Sequence, residues 1–211
     1  MSSDATPVDG RRARRERSRA AVIDAIFALV DDGKVPPSVE QIADRSGVSA
    51  SSIFRMFDGL DDMRSQAFQQ FETRYAHLLA SDVDETMDVA DRVDQLVRAR
   101  LELYGAAGPL MSLARQRTLD HEPVADRVGA QRMLLAEQTQ RHFRPETQHL
   151  TPAEAANFVA FIDATTSPEA FEVLRASHGR TRRQIERTWR RALVALVDAW
   201  CDTTTDPVQE Q

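Results

Sequence analysis

The sequence predicts an all-α protein, and three observations support that prediction. Glycine and proline are scarce, at 8 and 9 of 211 residues. No run of alternating β-branched residues indicates a strand, and apolar residues instead recur at helical spacing along most of the chain. Prolines, glycines and capping residues interrupt those patterns often enough to divide the chain into about nine to ten helices.

Composition narrows the class of protein further. A hydrophobic fraction of 42% with 28% charged residues is typical of a water-soluble globular protein. No stretch approaches 18 uninterrupted apolar residues and the first residues are polar, so we expect neither a membrane-spanning helix nor a secretory signal. The single cysteine, Cys201, cannot form an internal disulfide and suits a reducing compartment. The predicted location is therefore the cytoplasm.

The first predicted helix follows a strongly basic segment. Six arginines lie within nine residues and are opposed only by Glu16, although the whole chain has a net charge of −6. These are Arg11, Arg12, Arg14, Arg15, Arg17 and Arg19. We predict that residues 1–14 form a disordered basic arm. An amphipathic helix follows, with Ile23, Phe27 and Val30 at helical spacing, and it ends near Gly33.

Residues 38–57 predict two short helices that meet at a glycine. Ser38 and Gln41 form a capping-box pattern at the start of a helix over residues 39–45. Gly47 suits the positive φ that a turn after a helix requires. Ser49 can accept hydrogen bonds from the free amides of the second helix. This layout is that of a helix-turn-helix, which places its second helix in the major groove of DNA.

The second helix of the pair has two distinct faces. Ile53, Met56 and Phe57 are predicted to face inward, while small and hydroxyl-bearing residues and Arg55 face outward. Small side chains permit close approach to base edges, and arginine can bond guanine with two hydrogen bonds or hold a phosphate. The alternative is an ordinary helical hairpin of a bundle, which would more often expose Glu and Lys. A basic arm ahead of the pair could follow phosphates or enter the minor groove.

These residues resemble the tetracycline-repressor (TetR) family of transcriptional regulators. The resemblance rests on Ile42-Ala43, on Ser46-Gly47-Val48-Ser49 and on the run from Ile53 to Phe57. It implies a three-helix DNA-binding head over residues 15–73, with the helix-turn-helix at 38–57. It also implies a larger ligand-binding and dimerisation domain over residues 74–202, and we expect residues 203–211 to be a disordered tail. Members bind palindromic operators as homodimers, respond to a small-molecule effector and are most often repressors.

The chain departs from the family pattern at three places. Phe54 replaces the usual tyrosine, so a hydroxyl-to-phosphate bond is absent, and Met56 stands where histidine or tyrosine is common. The segment from Asp58 to Asp62 is acidic where the family often has a phosphate-binding lysine. We expect this loop to repel the DNA backbone and the arginine-rich arm to compensate. The candidate DNA-binding residues are Arg11, Arg12, Arg14, Arg15, Ser38, Ser49, Ala50, Ser51, Ser52, Phe54 and Arg55.

The rest of the chain predicts successive helices. One starts near Asp61, and another ends near Tyr104 at a break over residues 105–108. Pro109 and Pro123 each begin a further helix. Capping patterns at Thr151 and at Thr181 begin two helices of the last third, and Ser167-Pro168 begins another between them. Arginines cover one face of the final helix.

Large or polar residues beside the apolar stripes are the candidates for an effector pocket, although an aromatic residue at helical spacing is more often plain core. These candidates are Phe71, Tyr75, Tyr104, Met111, Arg115, Phe158 and Phe161. The resemblance implies that the last helices pair with their copies in a four-helix bundle. The candidate dimer residues are Ile162, Phe171, Trp189, Leu193, Leu196 and Trp200.

An enzyme has little support in the sequence. The five histidines are dispersed without metal-ligand spacing, there is no glycine-rich phosphate loop, and Cys201 has no evident activating base. We therefore expect no catalytic residues, metal or cofactor. The alternatives to a DNA-binding regulator are a helical adaptor that binds another protein, or a small helical enzyme. The expected partners are double-stranded DNA, a second copy of the chain and an unidentified small molecule, and no membrane.

Overall fold

A computed structural model describes residues 7–79, 83–119 and 121–201, and these residues form helices and no strand. The all-α prediction is confirmed. The helices are α1 (Pro7–Asp31), α2 (Val39–Ser46), α3 (Ala50–Met56), α4 (Leu60–Leu79), α5 (Val89–Arg117), α6 (Glu122–His142), α7 (Arg144–Thr147), α8 (Pro152–Thr165), α9 (Pro168–Glu172) and α10 (Arg182–Cys201). A π-helical turn, Val173–Ser177, follows α9 directly. Within the described ranges, no helix has the length and apolar character needed to cross a bilayer.

The chain divides into two compact units. The first contains the residues up to Arg74 together with Pro109–Ala125, and the second contains Tyr75–Gly108 and the residues from Asp126 onward. The sequence places the boundary at 73/74, one residue away, but it assigns residues 109–125 to the C-terminal domain. Their contacts place them in the first unit instead. The sequence carries no linker signal at residue 109, because helix α5 continues from the second unit into this stretch without a break.

Helices α1, α2 and α3 form the head of the first unit. Helix α1 buries Val22, Phe27 and Val30, and helices α2 and α3 contribute Ile42 and Ile53, which are each 1% exposed. Burying these aliphatic and aromatic side chains supplies the apolar contact that two helices of seven and eight residues need, since such short helices are not stable alone.

Two predictions about helix boundaries are wrong. Residues 7–14 are not a disordered arm, because α1 begins at Pro7 and is continuous to Asp31. Arginine, alanine and glutamate all favour helix, which explains why the basic segment extends α1. Pro109 does not begin a helix either, since it lies inside α5. It removes the amide that would bond the carbonyl of Gly105, and Gly105 is exposed, so water can solvate that carbonyl. Residues 1–6 and 202–211, including the predicted tail, lie outside the described residues.

The second unit has an aromatic core between α5, α8 and α10. The ring of Phe158 meets Phe143 and Trp200 at centroid distances of 5.5 and 6.0 Å. Tyr104 meets Trp189 edge-on at 6.4 Å, and both are almost completely buried. These contacts hold α8 against α10 and position the surface that the two helices present.

Candidate nucleic-acid interface

The turn between α2 and α3 has the geometry that its residues predict. Ser38 and Gln41 form a complete capping box, in which the Ser38 amide donates to Gln41 Oε1 at 2.9 Å and the Gln41 amide donates to Ser38 Oγ at 3.3 Å. Gly47 has φ 69° and its amide donates to the Ala43 carbonyl at 3.0 Å. Ser49 caps α3 by accepting from the Ser52 amide at 3.3 Å. Both predicted caps and the glycine turn are confirmed.

Helix α3 presents a polar face to solvent. Ile53, Met56 and Phe57 are at most 9% exposed and fix the helix on the head, as predicted. Ser49, Ser51, Phe54 and Arg55 are exposed, whereas Ala50 and Ser52 are half-buried. Phe54 is unusual among them, because it is a large apolar side chain and yet 53% of its surface is in contact with solvent.

The hydroxyl groups on this face are joined to one another. Ser49 Oγ donates to Ser52 Oγ at 2.9 Å and lies 3.2 Å from Ser51 Oγ. Arg55 Nη2 donates to Ser52 Oγ at 3.1 Å. The face is therefore a short chain of hydrogen-bond donors and acceptors that ends in a guanidinium group. Groups of these kinds form hydrogen bonds with base edges and phosphates.

The arginines of α1 differ in their contacts with the rest of the head. Arg15 Nη2 reaches the Met56 carbonyl at 3.5 Å, and Arg19 lies over the Phe57 ring at 5.0 Å, so both contact the end of α3. Arg12 pairs with Glu16 on its own helix at 3.2 Å. Arg11 and Arg14 are exposed and make no ion pair with any described residue. The candidate set is thus on the head, with Arg11 and Arg14 most available to a polyanion.

The acidic loop after α3 has a structural role. Asp62 accepts from the Asp58 amide at 3.0 Å and from Gln66 Nε2 at 2.9 Å, and Arg19 is 3.5 Å away. The Gln66 bond, the Asp58 amide and the Arg19 charge lower the pKa of the Asp62 carboxyl. Asp61 pairs with Arg64 at 2.9 Å. These carboxylates begin α4, where negative charge is favourable, so the loop is acidic for a reason that motif comparison does not reveal.

A groove lies beside α8 in the second unit, and we call it the α6–α8 groove. Its volume is about 890 Å³, and its walls come mainly from α6 and α8. Met133 and Ala136 line one wall, and Ala156 and Ala160 line the other. Arg100 and Asp163 also line it.

None of the seven predicted effector residues lines this groove. Tyr104 is bonded to a residue that lines the groove, because Arg100 Nη1 donates a hydrogen bond to the Tyr104 hydroxyl at 3.4 Å. The other six are divided between the two units: Phe71, Met111 and Arg115 belong to the first, and Tyr75, Phe158 and Phe161 belong to the second. The structure therefore does not gather the predicted set at this groove. The sequence analysis did not select Arg100 and Asp163 as site residues. An arginine within the apolar stripe of α5 could have indicated a buried polar site.

Four of the six residues predicted for the dimer interface are buried within the chain, so that assignment is corrected. Ile162, Phe171, Trp189 and Leu193 are 0–5% exposed, so they are core residues with almost no surface to give a second subunit. Leu196 and Trp200 are half-buried. Phe161, predicted as an effector residue, is 52% exposed and lies 6.2 Å from Trp200 between ring centroids.

Two further kinds of site, a metal centre and a reactive thiol, were weighed in the sequence. They contain no group of three or more His, Cys, Asp or Glu side chains placed to hold a metal ion. Burial, with a contribution from the Glu146 charge, raises the pKa of the Cys201 thiol, which disfavours the thiolate that a nucleophile requires.

No protein-family model matches the chain, and no curated protein matches its sequence. Among solved structures, the chain is similar to the crystal structure of a transcriptional regulator from Rhodococcus sp. Rha1. The TM-score is 0.66 at 18% sequence identity, and the match covers 90% of this chain and 99% of the other. At this identity the likeness establishes a shared fold over nearly the whole chain.

Proposed function

We propose that the protein is a DNA-binding transcriptional regulator of the TetR type. It binds a palindromic operator as a homodimer, and a small-molecule effector changes its affinity for that operator. Repression is the mode that the family resemblance favours. The observation that carries the proposal is the face of α3, where joined serine hydroxyls and Arg55 are presented to solvent on a helix anchored by Ile53 and Phe57. The fold shared with a transcriptional regulator supports the same class.

The head offers both kinds of contact that sequence-specific binding uses. Small residues on α3 permit close approach to base edges, and Arg55 supplies a donor pair for guanine. Arg11 and Arg14 on α1 supply charge for phosphates, which adds a salt-dependent and sequence-independent part of the affinity. Ser38, the cap of α2, is an exposed residue and a further candidate for a phosphate contact.

The proposed homodimer has two DNA-binding heads, which matches the two-fold symmetry of a palindromic operator. Two heads about 34–36 Å apart would read two half-sites one DNA turn apart. The surface we assign to dimerisation combines Phe161 of α8 with Trp200, Ala195 and Ala199 of α10. Phe161 and both alanines are exposed, and small residues let helices of two subunits approach closely. This assignment replaces the four buried candidates.

Selection of bound sequences from a pool of random duplexes tests the proposal. We expect enrichment of an inverted repeat with half-sites about one turn apart. Enrichment of a single half-site without symmetry would argue against the homodimeric mode. If the chain retained no duplex even at low salt, where phosphate contacts are strongest, DNA binding would be overturned and the adaptor or enzyme alternatives favoured.

A further inference from the structure

We propose that the α6–α8 groove binds an uncharged amphipathic small molecule whose hydroxyl group donates a hydrogen bond to Asp163. Binding at this site is independent of the proposed DNA-binding function. Its use as the effector site rests on that function.

The shape of the groove suits an apolar body. Its volume of about 890 Å³ lies within the range of small-molecule sites, about 300–1,000 Å³. The α8 wall consists of small side chains, including Ala156, Val159 and Ala160, so the space is not filled by the protein itself. Met133 on the α6 wall is 67% exposed, and its flexible thioether can adapt to ligands of different outline.

The floor of the groove is a rigid ion pair. Arg100 is 1% exposed and donates from Nη2 to Asp163 Oδ1 at 2.9 Å. Three further groups of α6 hold the guanidinium: the Leu135 carbonyl at 2.7 Å, Gln138 Oε1 at 3.0 Å and Thr139 Oγ1 at 2.9 Å. A group held by this many partners is already oriented before a ligand arrives, which lowers the entropic cost of binding.

One oxygen of this pair is left for a ligand. Asp163 Oδ1 accepts from Arg100 and from Thr139 Oγ1, the latter at 2.6 Å. Oδ2 has no hydrogen bond to any described residue, and the side chain is 21% exposed where it lines the groove. A carboxylate oxygen in this position can only accept, so the matching ligand group is a donor.

Charge balance selects an uncharged donor. Arg100 cancels Asp163 at the floor, and Arg132 pairs with Glu169 at 2.8 Å among the other lining residues. A charged ligand would lose its hydration without gaining a net opposite charge. A hydroxyl group loses much less and regains its hydrogen bond at Oδ2. An alcohol or phenol with an apolar body therefore fits the site.

Calorimetric titration of the full chain with three matched probes tests the proposal. The probes are 4-hexylphenol, its methyl ether 4-hexylanisole, and 4-hexylbenzoate, which share the apolar tail. We expect one phenol per chain, with the ether weaker by about tenfold or more, since a hydrogen bond to a charged group contributes on that scale. We expect the benzoate to be weaker than the phenol.

Two variants, each with an alanine replaced by phenylalanine, test where the phenol binds. Ala156 is exposed and lines the groove, so Ala156→Phe fills it without entering the core. Ala130 is exposed on α6 outside the lining, and Ala130→Phe is the matched control. The first variant should lose phenol binding at least tenfold, and the second should keep it.

Three results would overturn the proposal: no saturable phenol binding, equal affinity for phenol and ether, or unchanged binding by Ala156→Phe. Tighter binding of the benzoate than of the phenol would overturn the uncharged class. Phenol binding that leaves an operator complex unchanged would support the site and refute its use as the effector site. A chain that fails to bind DNA at all can still pass the groove test, so the two proposals fail separately.

Discussion

Arg55 Nη2 donates a hydrogen bond to Ser52 Oγ, 3.1 Å away and one turn earlier on α3. The guanidinium thus lies along the exposed face of the helix instead of extending into solvent. Ser52 is in turn the acceptor of a bond from Ser49, the residue that caps the helix. A side chain held in this way is partly ordered before it meets DNA, and less side-chain entropy remains to be lost on binding.

Arg55→Ala should weaken binding to the selected operator by about 1–3 kcal/mol if Arg55 bonds a base edge. The loss should be much smaller on random duplex, and titrations on both DNAs separate the two cases. Arg64→Ala is the matched control, because Arg64 is exposed on α4 and pairs with Asp61. Equal losses on operator and random duplex would instead identify Arg55 as a phosphate contact.

Gly47→Ala should lower the free energy of unfolding of the head by about 1–2 kcal/mol, because any residue with a Cβ is strained at φ 69°. No atom lies within 4 Å of the added carbon, so the loss comes from the backbone alone. Gly129→Ala, in the middle of α6, is the opposite case and should stabilise by about 0.5–1 kcal/mol. Urea unfolding measures both, and equal signs would show that the turn at Gly47 is misassigned.

Phe161→Glu should dissociate the proposed homodimer, since it places a charge on the surface assigned to dimerisation. An anchor of this size typically contributes about 2 kcal/mol or more to association. Leu119→Glu is the control, because Leu119 is 92% exposed and belongs to the first unit. Analytical ultracentrifugation at micromolar concentration measures the result. A parent chain that is already monomeric there, or a dimeric Phe161→Glu variant, would refute the assignment.

Acid should destabilise the second unit through His142. Burial lowers the pKa of its imidazole, and the charges of Arg100, Arg141 and Arg92 lower it further, against the Gln138 carbonyl bond that raises it. The unfolded chain takes up this proton near pH 6.5 and the folded chain only at lower pH. The free energy of unfolding should therefore fall as pH drops below about 6.5 and should not change on this account above it.

Unfolding of the His142→Gln variant between pH 7.5 and 5 checks this origin. We expect a shallower loss of stability with acid than in the parent, whatever the absolute stability of the variant. His149→Gln, at an exposed histidine, should keep the slope of the parent. If both variants keep that slope, groups other than His142 produce the acid sensitivity.

The head could be predicted in detail because its signals are local. Ser38 and Ser49 each accept a hydrogen bond from an amide three residues later, and the turn needs only Gly47. Each of these features can therefore be recognised from neighbouring residues in the sequence. The extent of α1 was missed for the opposite reason. A run of arginines is compatible with both a disordered arm and a helix, and only packing of the following residues decides between them.

The groove could not be predicted, because it depends on residues that are distant in the chain. Arg100 and Asp163 are 63 positions apart and meet only after α5, α6 and α8 have packed. Tyr104 and Phe158, two of the effector candidates, are buried in the core, and helical spacing alone does not distinguish a pocket wall from a core. Four of the candidate dimer residues are core residues for the same reason, since the apolar stripe of α10 is the side that buries Trp189 and Leu193 in its own chain.

The bonds of Arg100 also restrict how the second unit can move. The guanidinium joins α5 to three groups of α6 and to Asp163 of α8, and Tyr104 joins α5 to the Thr166 carbonyl at 2.8 Å. If α6 or α8 slipped by one turn along its axis, a buried cation would lose its partners, at a cost of about 3–5 kcal/mol. Apolar side chains alone would tolerate such slippage far better. We therefore expect these three helices to tilt together as one block when the protein changes state, and not to slide past one another.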